Sequence, residues 1–241
     1  MTQVFDSAIP AMGMALVAGL AMVLGALLAA VEHIQPRWLE AEFRHGVMAF
    51  GGGALLSAVA LVLVPEGMAE TPAWLAAALL IGGGIGFLSL DRLWVKLDTA
   101  ASQLAAMLSD FIPEAIALGA AVASGEPSAL LLAGLIALQN LPEGFNAYRE
   151  MKGRGHQSTQ VLLWSYAAMA FLGPLAALAG YVWLADAPAL VAGIMLFAAG
   201  GILYSVFQDI APQVPLARHW SPPLGAVLGF VLGVLGSYWV A

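Results

Sequence analysis

Long apolar runs, separated by short polar segments, dominate the pattern along the chain. A helix that crosses a bilayer needs about 20 predominantly apolar residues. Breaks at charges, prolines and glycine-polar clusters leave eight runs of this kind. The predicted spans are 8–31, 46–64, 73–90, 100–124, 128–148, 160–183, 189–208 and 223–240. Because the connections are short, the pattern predicts a single domain, 1–241, of packed membrane-spanning helices.

The composition agrees with this pattern. Hydrophobic residues make up 61% of the chain and charged residues 10%, whereas soluble domains carry about 25% charged residues. We therefore expect an all-α polytopic membrane protein. The absence of cysteine excludes thiolate metal sites and cysteine nucleophiles, and the absence of a basic surface argues against nucleic acid as a partner. The first ten residues, "MTQVFDSAIP", lack the basic region of a cleavable signal peptide.

The basic residues predict the orientation of the helices. All eight lie in odd-numbered connections, and the charged residues of the even-numbered connections are all acidic. The basic residues are Arg37, Arg44, Arg92, Lys96, Arg149, Lys152, Arg154 and Arg218. By the positive-inside rule, the odd-numbered connections are cytoplasmic and both termini are extracytoplasmic. The expected location is an inner (plasma) membrane.

An internal repeat relates the second and seventh spans. The segment "FGGGALLSAVALVLVPE" (50–66) aligns without gaps on "FAAGGILYSVFQDIAPQ" (197–213). Phe50 matches Phe197, Gly53 matches Gly200, and Pro65 matches Pro212. Since these spans run in opposite directions, we predict an inverted repeat of spans 1–3 and 6–8 around spans 4 and 5. Inverted repeats are typical of secondary transporters, although a chance alignment of Gly-Ala-Leu composition stays open.

Two similar polar motifs lie in the central spans, "SDFIPEAIALG" from Ser109 and "LQNLPEGFNAY" from Leu138. The first pairs Asp110 with Glu114, and the second pairs Gln139 with Glu143. In each pair the residues are four apart, which puts both on one helix face. The two motifs therefore predict a polar site between spans 4 and 5.

Each motif also contains a proline, Pro113 or Pro142. A proline inside a membrane helix is tolerated where the freed carbonyl faces protein, water or an ion. Pro-Glu is also a common way to begin a helix. The apolar run that precedes Gln139 favours the helix interior.

The carboxylates in these spans need compensation, since each costs about 2.5–3.5 kcal/mol at the bilayer centre. Every Lys, Arg and His lies in a predicted connection, so no protein cation is available. A bound divalent cation could neutralise the cluster, or some carboxyls could carry protons. A metal/proton exchanger would alternate between the two.

Other polar features have structural interpretations. Pro65 and Glu66 are predicted to end the second span, and Asp209 is predicted to lie at the membrane interface. The glycines of "GGGIG" (82–86) are typical of close helix packing.

The chain resembles the Zrt/Irt-like (ZIP) family of divalent-metal transporters. "LSDFIPEAIALG" is similar to the family's fourth span, "LIALQNLPEGFNAY" to its fifth, and "VLLWSYAAMAFLGPLAALAGY" to its sixth. The resemblance implies a homodimer-prone, elevator-type carrier with its metal site between spans 4 and 5. The implied metal ligands are Asp110, Glu114, Gln139 and Glu143, with Asp110 where the family usually has histidine.

Many family members hold a second metal beside the first. The corresponding positions here are Phe111, Asn140 and Gly173, and neither Phe111 nor Gly173 can coordinate through its side chain. We therefore predict a single, all-oxygen site with Asn140 as an accessory residue. Oxygen ligands shift the expectation slightly from Zn²⁺ toward Mn²⁺ or Fe²⁺.

The predicted function is secondary transport of divalent cations of the Mn, Fe or Zn class, with proton coupling left open. The partners are the cation as substrate, the lipid bilayer and a second copy of the chain, and no cofactor is expected. A proton-coupled carrier of a small solute and a non-transporting membrane metal-binding protein stay open as alternatives. An enzyme is not expected, because the spans contain no H-E-x-x-H motif, cysteine or Ser-His pair.

Overall fold

A computed structural model describes residues 2–32, 37–97, 100–153, 158–184, 187–215 and 220–240. Within these ranges the chain forms eight continuous helices and no strand. They are α1 Thr2–Val31, α2 37–69, α3 Ala73–Leu97, α4 Ala100–Ala123, α5 Ala129–Gly153, α6 Thr159–Leu184, α7 Pro188–Gln213 and α8 Leu224–Val240. The predicted all-α class is therefore confirmed.

Five helices in the described ranges are long and apolar enough to cross a membrane, α1, α2, α3, α6 and α7. The polar residues Gln139, Asn140 and Glu143 make α5 less apolar, and the apolar stretch of α8, Leu224–Trp239, is shorter. Trp74 and Trp183 stand exposed at helix ends, where tryptophan is enriched in membrane proteins. These features indicate a multi-pass membrane protein.

Two helices contain a π-helical turn at the same place in the aligned segments. In α2 the α-helix Arg37–Ala58 is followed by π-helix Val59–Leu63 and α-helix Val64–Ala69. In α7 the α-helix Pro188–Ser205 is followed by π-helix Val206–Ile210 and a 3-10 turn. Both π turns lie just before the matched prolines, where the proline ring crowds the carbonyl four residues earlier and a wider turn relieves it. The helix of α2 thus continues past Pro65 to Ala69, farther than the sequence predicts.

The eight helices pack as two bundles. The first bundle consists of α1, α4, α5 and α6, in which α1 packs against α5 and α6 and α4 packs against α6. The second bundle consists of α2, α3, α7 and α8, in which α2 packs against α8 and α3 packs against α7. The bundles meet mainly where α5 lies against α2 and where α4 lies beside α7.

Glycines bring backbones into direct contact inside each bundle. A Cβ added at any of these glycines would overlap a backbone carbonyl of the neighbouring helix. In the first bundle the pairs are Gly25 with Leu141, Gly144 with Met22, Gly119 with Ala177, and Gly180 with Ile116. In the second bundle they are Gly53 with Ala226, Gly229 with Phe50, Gly83 with Phe197, and Gly200 with Leu80. Small residues of this kind are how membrane helices pack closely.

The surface between the bundles is built differently. Gly51 of α2 faces the ring of Pro142 of α5, and Gly236 of α8 faces the side chain of Leu131 of α5. In both contacts a glycine of the second bundle meets a side chain rather than a backbone. Among the described glycines, the tightest backbone contacts therefore hold each bundle together and do not join one bundle to the other.

Candidate cation site

The antiparallel packing of α4 and α5 arranges the four predicted site residues on two levels. Asp110 lies ten residues from the first residue of α4, and Glu143 lies ten residues from the last residue of α5. Glu114 and Gln139 each lie fourteen residues from the same ends. At a rise of 1.5 Å per residue the two levels are about 15 Å and 21 Å from that end of the pair. Each level joins one residue of α4 with one of α5.

Pro113 and Pro142 lie inside continuous helices. The interpretation that Pro-Glu begins a helix is therefore wrong at both positions, and the predicted helix interior is confirmed. Each proline leaves one carbonyl of the preceding turn without its helical partner. Those carbonyls belong to Ser109 and Leu138, the residues immediately before Asp110 and Gln139.

Glu114 and Gln139 are in direct contact at the centre of the site. The Nε2 atom of Gln139 donates to both carboxylate oxygens of Glu114, at 2.6 and 2.7 Å. The two side chains are 1% and 3% exposed. The Oε1 atom of Gln139 is buried and has no hydrogen-bond partner. The amide thus satisfies the carboxylate with a neutral donor and leaves its own oxygen unused.

Asp110 and Glu143 form the second level. The Oδ1 atom of Asp110 is buried and has no hydrogen-bond partner. Glu143 and Glu114 are near enough to Asp110 to interact with it electrostatically. In the described ranges no three acidic or histidine side chains converge closely enough to hold a metal ion. The structure therefore gathers three acidic side chains in one region without joining them at a common centre.

Asn140 connects the site to the rest of the first bundle. It is buried, and its Nδ2 atom donates to the carbonyl of Ala18 on α1 at 2.9 Å. The residue predicted to be an accessory ligand thus has a packing contact of its own. That contact fixes the rotation of α5, which carries Gln139 and Glu143.

Phe111 occupies the region that corresponds to the second metal position of ZIP transporters. Its side chain is 1% exposed, and a Cβ added at Gly173 of α6 would lie 2.5 Å from the Cζ atom of its ring. The same ring atom lies 3.0 Å from a Cβ added at Gly19 of α1. An aromatic ring between two glycines fills this space.

This packing predicts the effect of a small substitution at Gly173. Gly173→Ala is expected to destabilise the protein by about 1–3 kcal/mol, because the added methyl group overpacks the ring of Phe111. The thermal unfolding temperature of the purified protein in detergent should fall by several degrees. Combining Gly173→Ala with Phe111→Leu should recover part of this loss, since the shorter side chain makes room for the methyl group.

Gly134→Ala on α5 is the matched control, because nothing lies within 4 Å of a Cβ at that position. Alanine favours a helix over glycine, so this variant should be as stable as the wild type or more stable. An unfolding temperature of Gly173→Ala equal to that of Gly134→Ala would contradict the packing described for Phe111.

Asp91, Tyr204 and Asp209 also lie near Asp110, although the sequence pattern did not place them there. A cavity of about 50 Å³ between the two bundles is lined by Asp110, Asp91, Tyr204, Asp209, Ser109, Ser205, Phe87 and Leu90. The hydroxyl of Tyr204 donates to Asp91 at 3.0 Å. Asp209 belongs to the π-helical turn of α7, so it lines this cavity where the sequence predicted only a place at the interface. Asp91 and Asp209 lie near the ends of apolar spans, so the sequence pattern did not indicate that they are close to Asp110.

No protein-family model matches the chain, and no curated protein is significantly similar to it. The function of the site is therefore inferred from the chemistry of its side chains. Oxygen atoms of carboxylates and amides bind hard divalent cations and protons. The basic residues in the described ranges lie toward helix ends, as in the ion pair of Arg149 with Glu32.

Proposed function

We propose that this chain is a secondary transporter that carries divalent cations through a single all-oxygen site between α4 and α5. The observation that carries the proposal is the set of acidic side chains in the interior of two proline-containing helices. Asp110, Glu114 and Glu143 lie there with Gln139 as their neutral neighbour. Acidic residues inside a membrane bundle are costly and mark ion pathways.

The contact of Gln139 with Glu114 suggests how the site exchanges a cation. The amide nitrogen now lies between the two carboxylate oxygens. A divalent cation would take that place, and rotation of the amide would turn the unused Oε1 atom of Gln139 toward the cation. Three carboxylates and one amide oxygen favour Mn²⁺ or Fe²⁺ over softer cations. Zn²⁺ also accepts carboxylate ligands.

We assign eight membrane spans to the eight helices, with both termini extracytoplasmic and the protein in an inner (plasma) membrane. The basic residues support this topology. Arg37 begins α2, Arg92 lies near the end of α3, and Arg149 lies near the end of α5. Alternating spans bring these three helix ends to one side, the side that the positive-inside rule makes cytoplasmic. Arg154 and Arg218 lie outside the described residues.

We further assign an inverted repeat to α1–α3 and α6–α8. The two π turns in matched positions support it. The matched glycines also make matched contacts, Gly53 of α2 with α8 and Gly200 of α7 with α3. An inverted repeat exchanges α2 with α7 and α3 with α8, so these two contacts correspond. Repeats of this kind are typical of secondary transporters.

The division into two bundles supports an elevator-type motion. The site lies in the first bundle, and backbone contacts at glycines hold each bundle together internally. At two contacts between the bundles, Gly51 with Pro142 and Gly236 with Leu131, a glycine of the second bundle meets a side chain of the first. Displacement of the first bundle along the second would carry the site without separating the tightest contacts of either.

The resemblance to the ZIP family supports the same function and adds a homodimer to the proposal. On the apolar face of α3, Ile81 and Ile85 are 63% and 56% exposed. In the membrane this face meets lipid or a second copy of the chain.

Uptake into proteoliposomes tests the proposed function. Purified protein should admit Mn²⁺, Fe²⁺, Zn²⁺, Co²⁺ or Cd²⁺ faster than protein-free liposomes of the same lipid. We expect Mn²⁺ and Fe²⁺ to be taken up at least as well as Zn²⁺, because the ligands are all oxygen. Uptake equal to that of protein-free liposomes for all five cations would exclude cation transport.

One observation favours a second candidate, a proton-coupled carrier of a small solute. The acidic side chains in the described ranges do not converge on one centre, and carboxyls that carry protons need no convergence. A thermal shift that depends on pH and is unchanged by any of the five cations would favour this alternative. A shift that requires a cation would exclude it.

A further inference from the structure

Tyr166 of α6 has a buried hydroxyl without a partner. Its side chain is 0% exposed and is the largest of the fully buried side chains in the described ranges. The hydroxyl oxygen is buried and makes no hydrogen bond. Burying a hydroxyl without a partner is unfavourable, and phenylalanine would fill the same space. Packing alone therefore does not account for the hydroxyl.

A neighbouring tyrosine shows the usual arrangement. The hydroxyl of Tyr148 on α5 shares a hydrogen bond of 3.0 Å with the hydroxyl of Thr159 at the start of α6. The same two helices thus carry one tyrosine whose hydroxyl is paired and one whose hydroxyl is not. The difference points to the surroundings of Tyr166.

Tyr166 lies in the hydrophobic core of the bundle, and its hydroxyl is near a polar face of α5 that continues from the candidate cation site. Glu143 and Glu150 of α5 are near enough to Tyr166 to interact with it electrostatically. On α5, Glu143, Asn146 and Glu150 are three and four residues apart, so they share one helix face. The Oδ1 atom of Asn146 is also buried without a partner. This face of α5 carries oxygen atoms from the site toward the end of the helix.

The depths of these residues along α5 and α6 place Tyr166 beside this polar face. Glu143 and Glu150 lie ten and three residues from the end of α5, which is about 15 Å and 5 Å along the helix. Tyr166 lies seven residues from the start of α6, about 10 Å from the same side of the bundle. Tyr166 therefore lies between the two glutamates in depth.

We infer that Tyr166 and Asn146 line the route of the cation between Glu143 and the end of α5, an inference that rests on the proposed cation transport. Neutral oxygen atoms between two carboxylates suit passage, because an ion must be held strongly enough to enter and weakly enough to leave. A group on this route controls the rate of transport. It does not control how tightly the site binds the cation at equilibrium.

Tyr166→Phe tests the route because it removes only the hydroxyl. With Mn²⁺ as the probe, the uptake rate at saturating cation should fall at least about fivefold. The dissociation constant for Mn²⁺ should stay within about twofold of wild type. The thermal unfolding temperature should not fall, since an unpaired buried hydroxyl has been removed. Asn146→Leu, of similar volume, should lower the rate in the same way and decides the test if Tyr166→Phe does not fold.

Tyr181→Phe is the matched control on the same helix. It lies fifteen residues beyond Tyr166, about 22 Å along α6, and should transport and bind as the wild type does. Wild-type protein without uptake would refute the proposed function itself. Wild-type uptake with unchanged rates in both Tyr166→Phe and Asn146→Leu would overturn only the route. Binding of Mn²⁺ weakened fivefold or more in Tyr166→Phe would also overturn the route, because Tyr166 would then belong to the site.

Discussion

Uptake of divalent cations is expected to fall at least about 100-fold in Glu114→Gln and in Glu143→Gln. Glutamine keeps the shape of each side chain and removes its charge. A 100-fold loss corresponds to about 2.7 kcal/mol of cation binding, which is modest for a charged ligand shielded from water. Glu114 is buried against Gln139, so no second carboxylate lies at its level of the site. Glu143 shares its level only with Asp110.

Thermal stability separates this loss from misfolding. A buried carboxylate costs free energy, so both variants should unfold at the temperature of the wild type or higher. Glu126→Gln is the matched control, since Glu126 stands exposed in the connection between the same two helices. Its uptake should equal that of the wild type. Undiminished uptake in both site variants would refute the assignment of the site to α4 and α5.

The sequence predicts the helices and the neighbourhood of the site because those depend on local pattern. The span predicted at 100–124 corresponds to α4 at Ala100–Ala123, and both prolines lie inside their helices as the apolar flanks indicate. The spacing of four residues puts Asp110 on the face of Glu114, and the same spacing puts Gln139 on the face of Glu143. Local periodicity is sufficient for these features.

The remaining features depend on contacts between distant residues. Hydropathy cannot distinguish a π turn from an α turn, so the continuation of α2 to Ala69 and the place of Asp209 beside Asp110 were not predicted. The hydrogen bonds of Gln139 with Glu114 depend on how far α4 and α5 slide past each other. The role of Phe111 as a filler of space depends on the absence of a side chain at Gly173. Each of these is a tertiary relationship that a linear pattern does not contain.

The proposed sliding of one bundle along the other leads to a second large effect. A disulfide between Gly51→Cys and Pro142→Cys is expected to reduce cation uptake to the level of protein-free liposomes. A Cβ added at Gly51 lies 3.4 Å from the Cβ of Pro142, close to the separation found in disulfides, about 3.5–4.5 Å. The bond would join α2 of the second bundle to α5 of the first. If transport requires one bundle to slide along the other, the bond holds both in one position.

The neighbouring glycine offers a control of nearly identical geometry. A Cβ added at Gly52 lies 3.8 Å from the Cβ of Ile210 on α7, and both α2 and α7 belong to the second bundle. A disulfide between Gly52→Cys and Ile210→Cys should leave uptake unchanged, because it crosses no moving surface. The native chain has no cysteine, so oxidation acts only on the introduced pair. Each double variant is measured oxidised and again after reduction, with Pro142→Cys alone showing the effect of losing the proline.

Reduction should restore uptake in the pair that joins the bundles and change nothing in the pair within one bundle. Mass spectrometry of the oxidised protein establishes that each bond has formed. Full uptake by protein whose Gly51→Cys and Pro142→Cys are joined would rule out sliding of the bundles during transport. Loss of uptake in both oxidised pairs would show that α2 itself must bend, which its π-helical turn at Val59–Leu63 would permit. The two disulfides thus distinguish a rigid second bundle from one that deforms.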